Sequence, residues 1–483
     1  MSTDFTDTPP APGPPTGIAR LPRGHPGIAW MVVITAVAGL FVLRLFHPPT
    51  EGQQIDVFEI QARALVGAAG LGPGRGQIYQ EARELDRGPA AQRLGFVVLA
   101  GELKGPDEAL DRLNELKDLL NKDEVPHADE AEVQNARATA GILGRLYRDY
   151  SDGDLSAANV GEEDRQTLQR RLGWFGDLAL NPRGGPNTAA RAAVLAPAER
   201  AAVLDGVMVV GGLGAGAIGF SLLVLFAVLW RHMRARLTVG SPYGGLYAES
   251  FALWLILYVG LSKALALLPA GVPLGLEAGI PGVLSLAAAV AWPVLRGAPW
   301  RQVRRDIGWW AGDRPALEPF YGVVCYLAAL PLVILGAVFL AVVMRLRQQW
   351  GGHDLFGPTD APTHPIVDYI LHSGWSGWLQ ALFLASVMAP LMEETMFRGV
   401  LYRHLREATG RMGRPLSVIL SALLVSFVFA SLHPQGVLAI PVLMALAFGF
   451  TAAREWRGSL IPSMTVHALH NGMLLAMLIL TAG

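Results

Sequence analysis

Apolar residues along this chain collect into runs near the ~20 residues that a helix needs to cross ~30 Å of hydrocarbon. The runs stand at 28–46, 206–230, 246–268, 274–295, 317–344, 376–400, 416–433, 436–453 and 459–480. They predict about nine transmembrane helices, the second to fifth lying within 206–344. Residues 50–205 break the pattern, being polar and alanine-rich. There the apolar positions keep helical spacing, as with Leu110, Leu113, Leu116 and Leu120 after the Pro106-Asp107 start signal. No repeat period is sustained, so a solenoid is not expected. The expected fold class is all-α, a multi-pass transmembrane helical bundle with an extramembrane helical domain. Residues 1–27, with "TPPAPGPPTG", predict a disordered tail. The run at 28–46 has no small-residue cleavage site after it and is expected to stay as the first span.

Composition agrees with a membrane protein: 52% of the 483 residues are hydrophobic and 16% charged, against roughly a quarter charged in soluble domains. The net charge of −1 gives no reason to expect a nucleic-acid partner. Cys325 is the single cysteine, which rules out an intramolecular disulfide or a cysteine metal cluster. Any metal ligands must come from His, Asp, Glu or Asn. Basic loops set the expected orientation, since Lys and Arg are retained on the cytoplasmic side. Arg231, Arg234 and Arg236, then Arg296, Arg301, Arg304 and Arg305, then Arg403, Arg406, Arg411 and Arg414, then Arg454 and Arg457 all fall on one side if every run crosses. Arg345 and Arg347 are the contrary pair. The expectation is a plasma-membrane protein with a cytoplasmic N-terminus and an extracytoplasmic 50–205 domain. Glu249, Lys263 and Glu277 lie near predicted helix ends, where long side chains reach water.

The segment "MEETMFRGV" is different, because it places Glu393, Glu394 and Arg398 inside an apolar stretch. An ionisable residue at membrane depth marks a candidate functional site. Glu394 and Arg398 are four apart and can pair on a helix, which leaves Glu393 about 100° round the axis with no neighbour in sequence. Two later segments offer partners: "FASLHPQ", with Phe429 and His433, and "HALHNG", with His467, His470 and Asn471. Roughly 20 residues separate Glu393 from a turn near 410–415, and roughly 20 more lead back to His433, so at ~1.5 Å per residue the two side chains return to one height. His467 lies at similar or shallower depth. Pro434 is expected to end its helix directly after His433.

A carboxylate and an imidazole converging on one water form a general-base pair. A further histidine and an asparagine amide can stabilise an oxyanion. Those parts suffice for amide hydrolysis, and the same Glu–His–His set could hold Zn²⁺. Helix–helix polar clamping is the structural alternative. A proton- or ion-coupled transporter would use similar groups, but the earlier spans show no second segment of this kind. A non-catalytic immunity or scaffold protein is the third reading.

These residues resemble the CAAX-protease and bacteriocin-processing (Abi) family of intramembrane proteases. The match consists of Glu393-Glu394-x-x-x-Arg398, Phe429-x-x-x-His433 and His467-x-x-x-Asn471 within about 365–480. The resemblance implies an intramembrane endopeptidase acting on a protein or peptide substrate in contact with membrane lipid. It implies that Glu393 and His433 activate the water, that His467 and Asn471 stabilise the oxyanion, and that Glu394 with Arg398 holds the geometry. It also implies that any zinc would sit on Glu393, His433 and His467, with metal-free chemistry as the rival. A reporter fused within 50–205 is expected outside the cytoplasm and one at Gly410 inside; finding both on the same side would overturn the span count.

Overall fold

The computed structural model describes residues 24–46, 51–72, 74–86, 88–121, 130–229, 236–237, 239–267, 274–349, 364 and 366–482. Most of the expected tail at 1–27 lies outside them. The described residues are helical, with no strand among them. Seven helices are long and apolar enough to cross a membrane, and two shorter apolar helices coincide with the expected runs at 28–46 and 274–295. This is a multi-pass helical membrane protein.

Helix α1 (Pro26–Phe46) precedes a polar unit of α2 (Glu51–Leu71), α3 (Arg75–Ala82), α4 (Ala90–Leu103), α5 (Pro106–Asn121), α6 (Glu130–Ser151), α7 (Glu162–Leu172) and α8 (Trp174–Leu180). Leu113, Leu116 and Leu120 on α5, with Leu143 and Leu146 on α6, face a core completed by Phe58, Phe96 and Phe175. The helical spacing seen in sequence therefore does mark a buried stripe. The boundary expected near 205 falls inside one continuous helix, α9 (Thr188–Leu229). Its first half joins the polar unit's core through Ala198. Its second half exposes Val210, Leu213 and Phe220, as a lipid-facing span does. Glycines allow α9 its close approaches. A Cβ on Gly67 would meet the Ala198 carbonyl at 2.0 Å, and one on Gly219 would meet the Leu327 carbonyl at 2.0 Å.

The bundle continues with α10 (Gly244–Leu265), α11 (Leu274–Leu295), the short α12 (Trp300–Asp306) and α13 (Glu318–Gln349). Residues from α1, α10, α11 and α13 share one apolar core with the last hundred residues of the chain. The basic loops gather at one end of this bundle. Arg403 pairs with Asp306 (3.3 Å) and Glu407 (2.7 Å), Arg406 with Glu455 (3.1 Å) and Arg457 with Glu318 (2.7 Å). Arg236 pairs with Asp313. Arg231 and Arg234 lie outside the described residues. Glu249 does not depend on water: it accepts hydrogen bonds from Trp292 Nε1 (2.8 Å), Arg296 (2.6 Å) and the His25 backbone N–H (2.6 Å), clamping α1, α10 and α11.

Gly219→Leu should force α9 and α13 apart and destabilise the fold by about 1–3 kcal/mol, the usual cost of overpacking. Thermal unfolding in detergent reads this as a lowered Tm, whereas Gly211→Leu, with open space around the glycine, should leave Tm nearly unchanged.

Candidate active site

The glutamate pair sits on a helical rod that runs from Trp375 to Met412. Along the rod, α15 (Trp375–Phe383) passes into a π-helical segment at Leu384–Met388, then α16 (Ala389–Glu394), a second π segment at Thr395–Leu401, and α17 (Tyr402–Thr409). Pro390 accounts for the first widening, because its ring cannot sit against the carbonyl four residues earlier and it has no N–H to donate. In the i→i+5 register the Ala385 carbonyl would look to Pro390 for its hydrogen. Asn471 fills that gap, its Nδ2 donating to the Ala385 oxygen at 2.8 Å. In the second segment Gly399 lets the rod lie against the loop after α12, where a Cβ would stand 2.8 Å from the Ile307 carbonyl.

Two further helices deliver the imidazoles. The rod turns at Gly413, whose φ of 79° suits glycine, into α18 (Arg414–Leu432). His433 caps α18 in an extended conformation before Pro434, and its Nδ1 lies 2.8 Å from the Phe429 carbonyl. After α19 (Ile440–Arg457), α20 (Ile461–Ala482) brings in His467. The Glu393 Oε2 atom lies 3.7 Å from His433 Nε2 and 3.9 Å from His467 Nε2. That oxygen is buried and has no hydrogen-bond partner among the described residues.

Glu394 faces the other way and is fully buried. Its Oε1 accepts from Arg398 at 2.8 Å and meets His467 Nδ1 at 2.9 Å. A carbonyl at His433 Nδ1 and a carboxylate at His467 Nδ1 are both acceptors, so each Nδ1 carries a hydrogen. A ring with one hydrogen then presents its Nε2 lone pair towards Glu393. Arg398 is also fully buried. Its second amino group donates to the Ala447 carbonyl (3.2 Å), and its guanidinium lies over Phe429 (4.4 Å) and Phe450 (4.8 Å). Those rings also support the histidines: Phe429 packs on His433 at 4.1 Å and Phe450 stacks on His467 at 4.9 Å.

The structure thus brings together Glu393, His433 and His467, and separately Glu394, Arg398 and His467. Asn471 lies one turn beyond His467, with one amide hydrogen committed to Ala385. His470 points elsewhere, its Nδ1 being 3.3 Å from the Tyr326 hydroxyl. His364, which the sequence did not single out, precedes the short helix α14 (Ile366–Leu371). Its Nδ1 accepts the Ile366 N–H at 3.1 Å, so the ring's hydrogen sits on Nε2. No motif spacing pointed to it. The donor types at Glu393, His433 and His467 are those zinc uses. Ligands of a tetrahedral zinc at ~2.1 Å stand about 3.4 Å apart, and among the described residues no three such groups lie close enough to hold one ion.

Residues 375–473 match the family described as type II CAAX prenyl endopeptidase Rce1-like. This segment is Rce1-like. The match spans the rod, α18, α19 and most of α20, and so contains every residue of the glutamate–histidine cluster. The Rce1-like family is a family of peptidases, in agreement with the resemblance seen in the sequence. No curated protein and no solved structure matches the chain.

Glu394→Gln should cost about 3–5 kcal/mol of stability, because it strands the buried Arg398 charge. Glu393→Gln removes no ion-pair partner of Arg398 and should unfold within about 1 kcal/mol of the parent. Thermal unfolding of the two variants side by side in one detergent checks the difference.

Proposed function

We propose that the chain is an intramembrane endopeptidase in which Glu393 and His433 activate a water for attack on a peptide bond. The observation that carries this reading is the convergence of one carboxylate oxygen and two imidazole Nε2 atoms at 3.7 and 3.9 Å. A water oxygen at ~2.8 Å from each atom of a pair can donate one hydrogen to Glu393 and the other to His433. Its own lone pair is then aimed outwards. Glu393 takes the first proton as the water attacks the carbonyl carbon, and returns it to the amine nitrogen as the carbon–nitrogen bond breaks. The second hydrogen stays on the attacking oxygen and keeps its bond to His433.

The oxyanion needs donors. Asn471 has a second amide hydrogen beyond the one given to Ala385, and we assign it the role of oxyanion donor beside His467. This reading routes no step through zinc, and the same Glu393, His433 and His467 would be its ligands in the rival metal-dependent reading. The substrate is a peptide or protein chain reaching the cluster from the membrane or from the face that carries the basic loops. We assign that face to the cytoplasm of a plasma-membrane protein on the retention of arginine there, which places the polar unit of α2–α8 outside.

Glu393→Gln should lower the single-turnover rate on a cleaved peptide by about 10²–10⁴, the usual contribution of a general base. Asn471→Ala should lower it by about 10²–10³. Cleavage by Glu393→Gln within a few-fold of the parent would remove Glu393 from the chemistry.

A further inference from the structure

The polar unit of α2–α8 holds a small cavity that no step of the peptide chemistry uses. It measures about 220 Å³ and lies among the end of α4, the starts of α3 and α5, and residues of α6 and α8. Val98, Leu155 and Leu178 give it apolar walls.

A glycine makes room for its most buried hydroxyl. A Cβ on Gly101 would stand 2.6 Å from the Tyr147 ring and 2.8 Å from its hydroxyl, so the bare backbone of α4 lets that ring lie in the wall. Tyr150, edge-on to Tyr147 at 5.8 Å, commits its own hydroxyl to the Ala179 carbonyl at 2.9 Å. Tyr147 is only 4% exposed, yet its hydroxyl makes no hydrogen bond among the described residues. A polar group taken from bulk water without a partner is costly, and the cavity is where a partner can enter.

Charge in the wall is unbalanced. Glu102 is its one carboxylate, and it is paired at 2.6 Å with Arg191 in the first turn of α9. Lys104 is paired with Glu108. Arg75 and Arg183 also line the cavity, and neither makes an ion pair or a hydrogen bond among the described residues. Two uncompensated guanidinium groups in the wall of one cavity favour an anion. A guanidinium meets a carboxylate with two parallel N–H···O bonds, and a tyrosine hydroxyl can donate to the same group. The apolar walls suit a short carbon body, which inorganic phosphate lacks. At the ~30 Å³ that a water occupies in the liquid, 220 Å³ is room for a ligand of roughly seven to ten non-hydrogen atoms.

We propose that this cavity binds a small organic carboxylate, its anionic end held by Arg75, Arg183 and the Tyr147 hydroxyl and its carbon body against Val98 and Leu178. The site stands apart from the glutamate–histidine cluster and does not rest on the peptidase reading.

The test uses the full chain in neutral detergent, with butyrate, succinate and benzoate as probes and butyramide, succinamide and benzamide as their uncharged counterparts. Saturation-transfer NMR on the probe protons reads binding. At least one acid should bind saturably and about tenfold or more tighter than its amide, the usual worth of hydrogen bonds to a charged group. Arg183 is exposed, so Arg183→Gln should fold as the parent does and lose most of that preference, as should Arg75→Gln. Tyr147→Phe should weaken the acid by about three- to tenfold. It should leave the ligand-free Tm unchanged, because the lost hydroxyl has no partner in the fold. The proposal is overturned if none of the acids binds saturably, if acid and amide bind equally, or if the preference survives in either arginine variant. Unchanged acid affinity in Tyr147→Phe, or displacement of the acid by an equal concentration of inorganic phosphate, would also overturn it.

Discussion

One buried carboxylate sets the geometry of the last hundred residues. Glu394 accepts from Arg398 at 2.8 Å and from His467 at 2.9 Å with the same oxygen, so the rod and α20 cannot shift independently. Removing charges from water is costly, and a buried pair survives only when further partners satisfy it. Here the partners are the Ala447 carbonyl and the faces of Phe429 and Phe450, which draw α18 and α19 into the same cluster. Four helices are held around one cation. The two imidazoles are then fixed by the aromatic rings that hold Arg398, and each histidine tautomer follows from the acceptor at its Nδ1.

Glu393 gains its role by contrast with its neighbour. The carboxylates are adjacent in sequence and face different surroundings on the helix: Glu394 is bonded on its Oε1 by two donors, whereas Glu393 Oε2 lies between two imidazole Nε2 atoms, and the Oε2 atoms of both are without a hydrogen-bond partner among the described residues. Two titratable groups in unlike environments are the usual basis for dividing structural from chemical work. The π segments on either side of α16 aid this division. They widen the rod on either side of the turn that carries both glutamates, and the first leaves a carbonyl that anchors Asn471.

Much of this was legible in the chain. Apolar runs of membrane length located the helices, and the basic loops that were expected to share a side do meet at one end of the bundle. Equal path lengths either side of the 410–415 turn brought Glu393 level with His433, and the Glu394–Arg398 pair followed from four-residue spacing. What stayed hidden depended on contacts between distant segments. The Glu394–His467 bond spans 73 residues. The Asn471–Ala385 bond arises because Pro390 lacks an N–H, and a five-residue helical register leaves no mark in hydrophobic periodicity. His364 has no motif around it. The polar unit looked separable from the membrane because α9 passes from polar to apolar near 205, yet the helix itself does not break there.

The proposed chemistry uses a water held by a carboxylate and imidazoles in place of a metal ion. Its most direct test is to measure peptide cleavage and zinc content on the same purified sample, before and after a strong chelator. The account predicts a cleavage rate that neither tracks the zinc content nor falls on chelation, with well under one zinc per active molecule. About one zinc per active molecule, lost together with activity and restored with it, would contradict it.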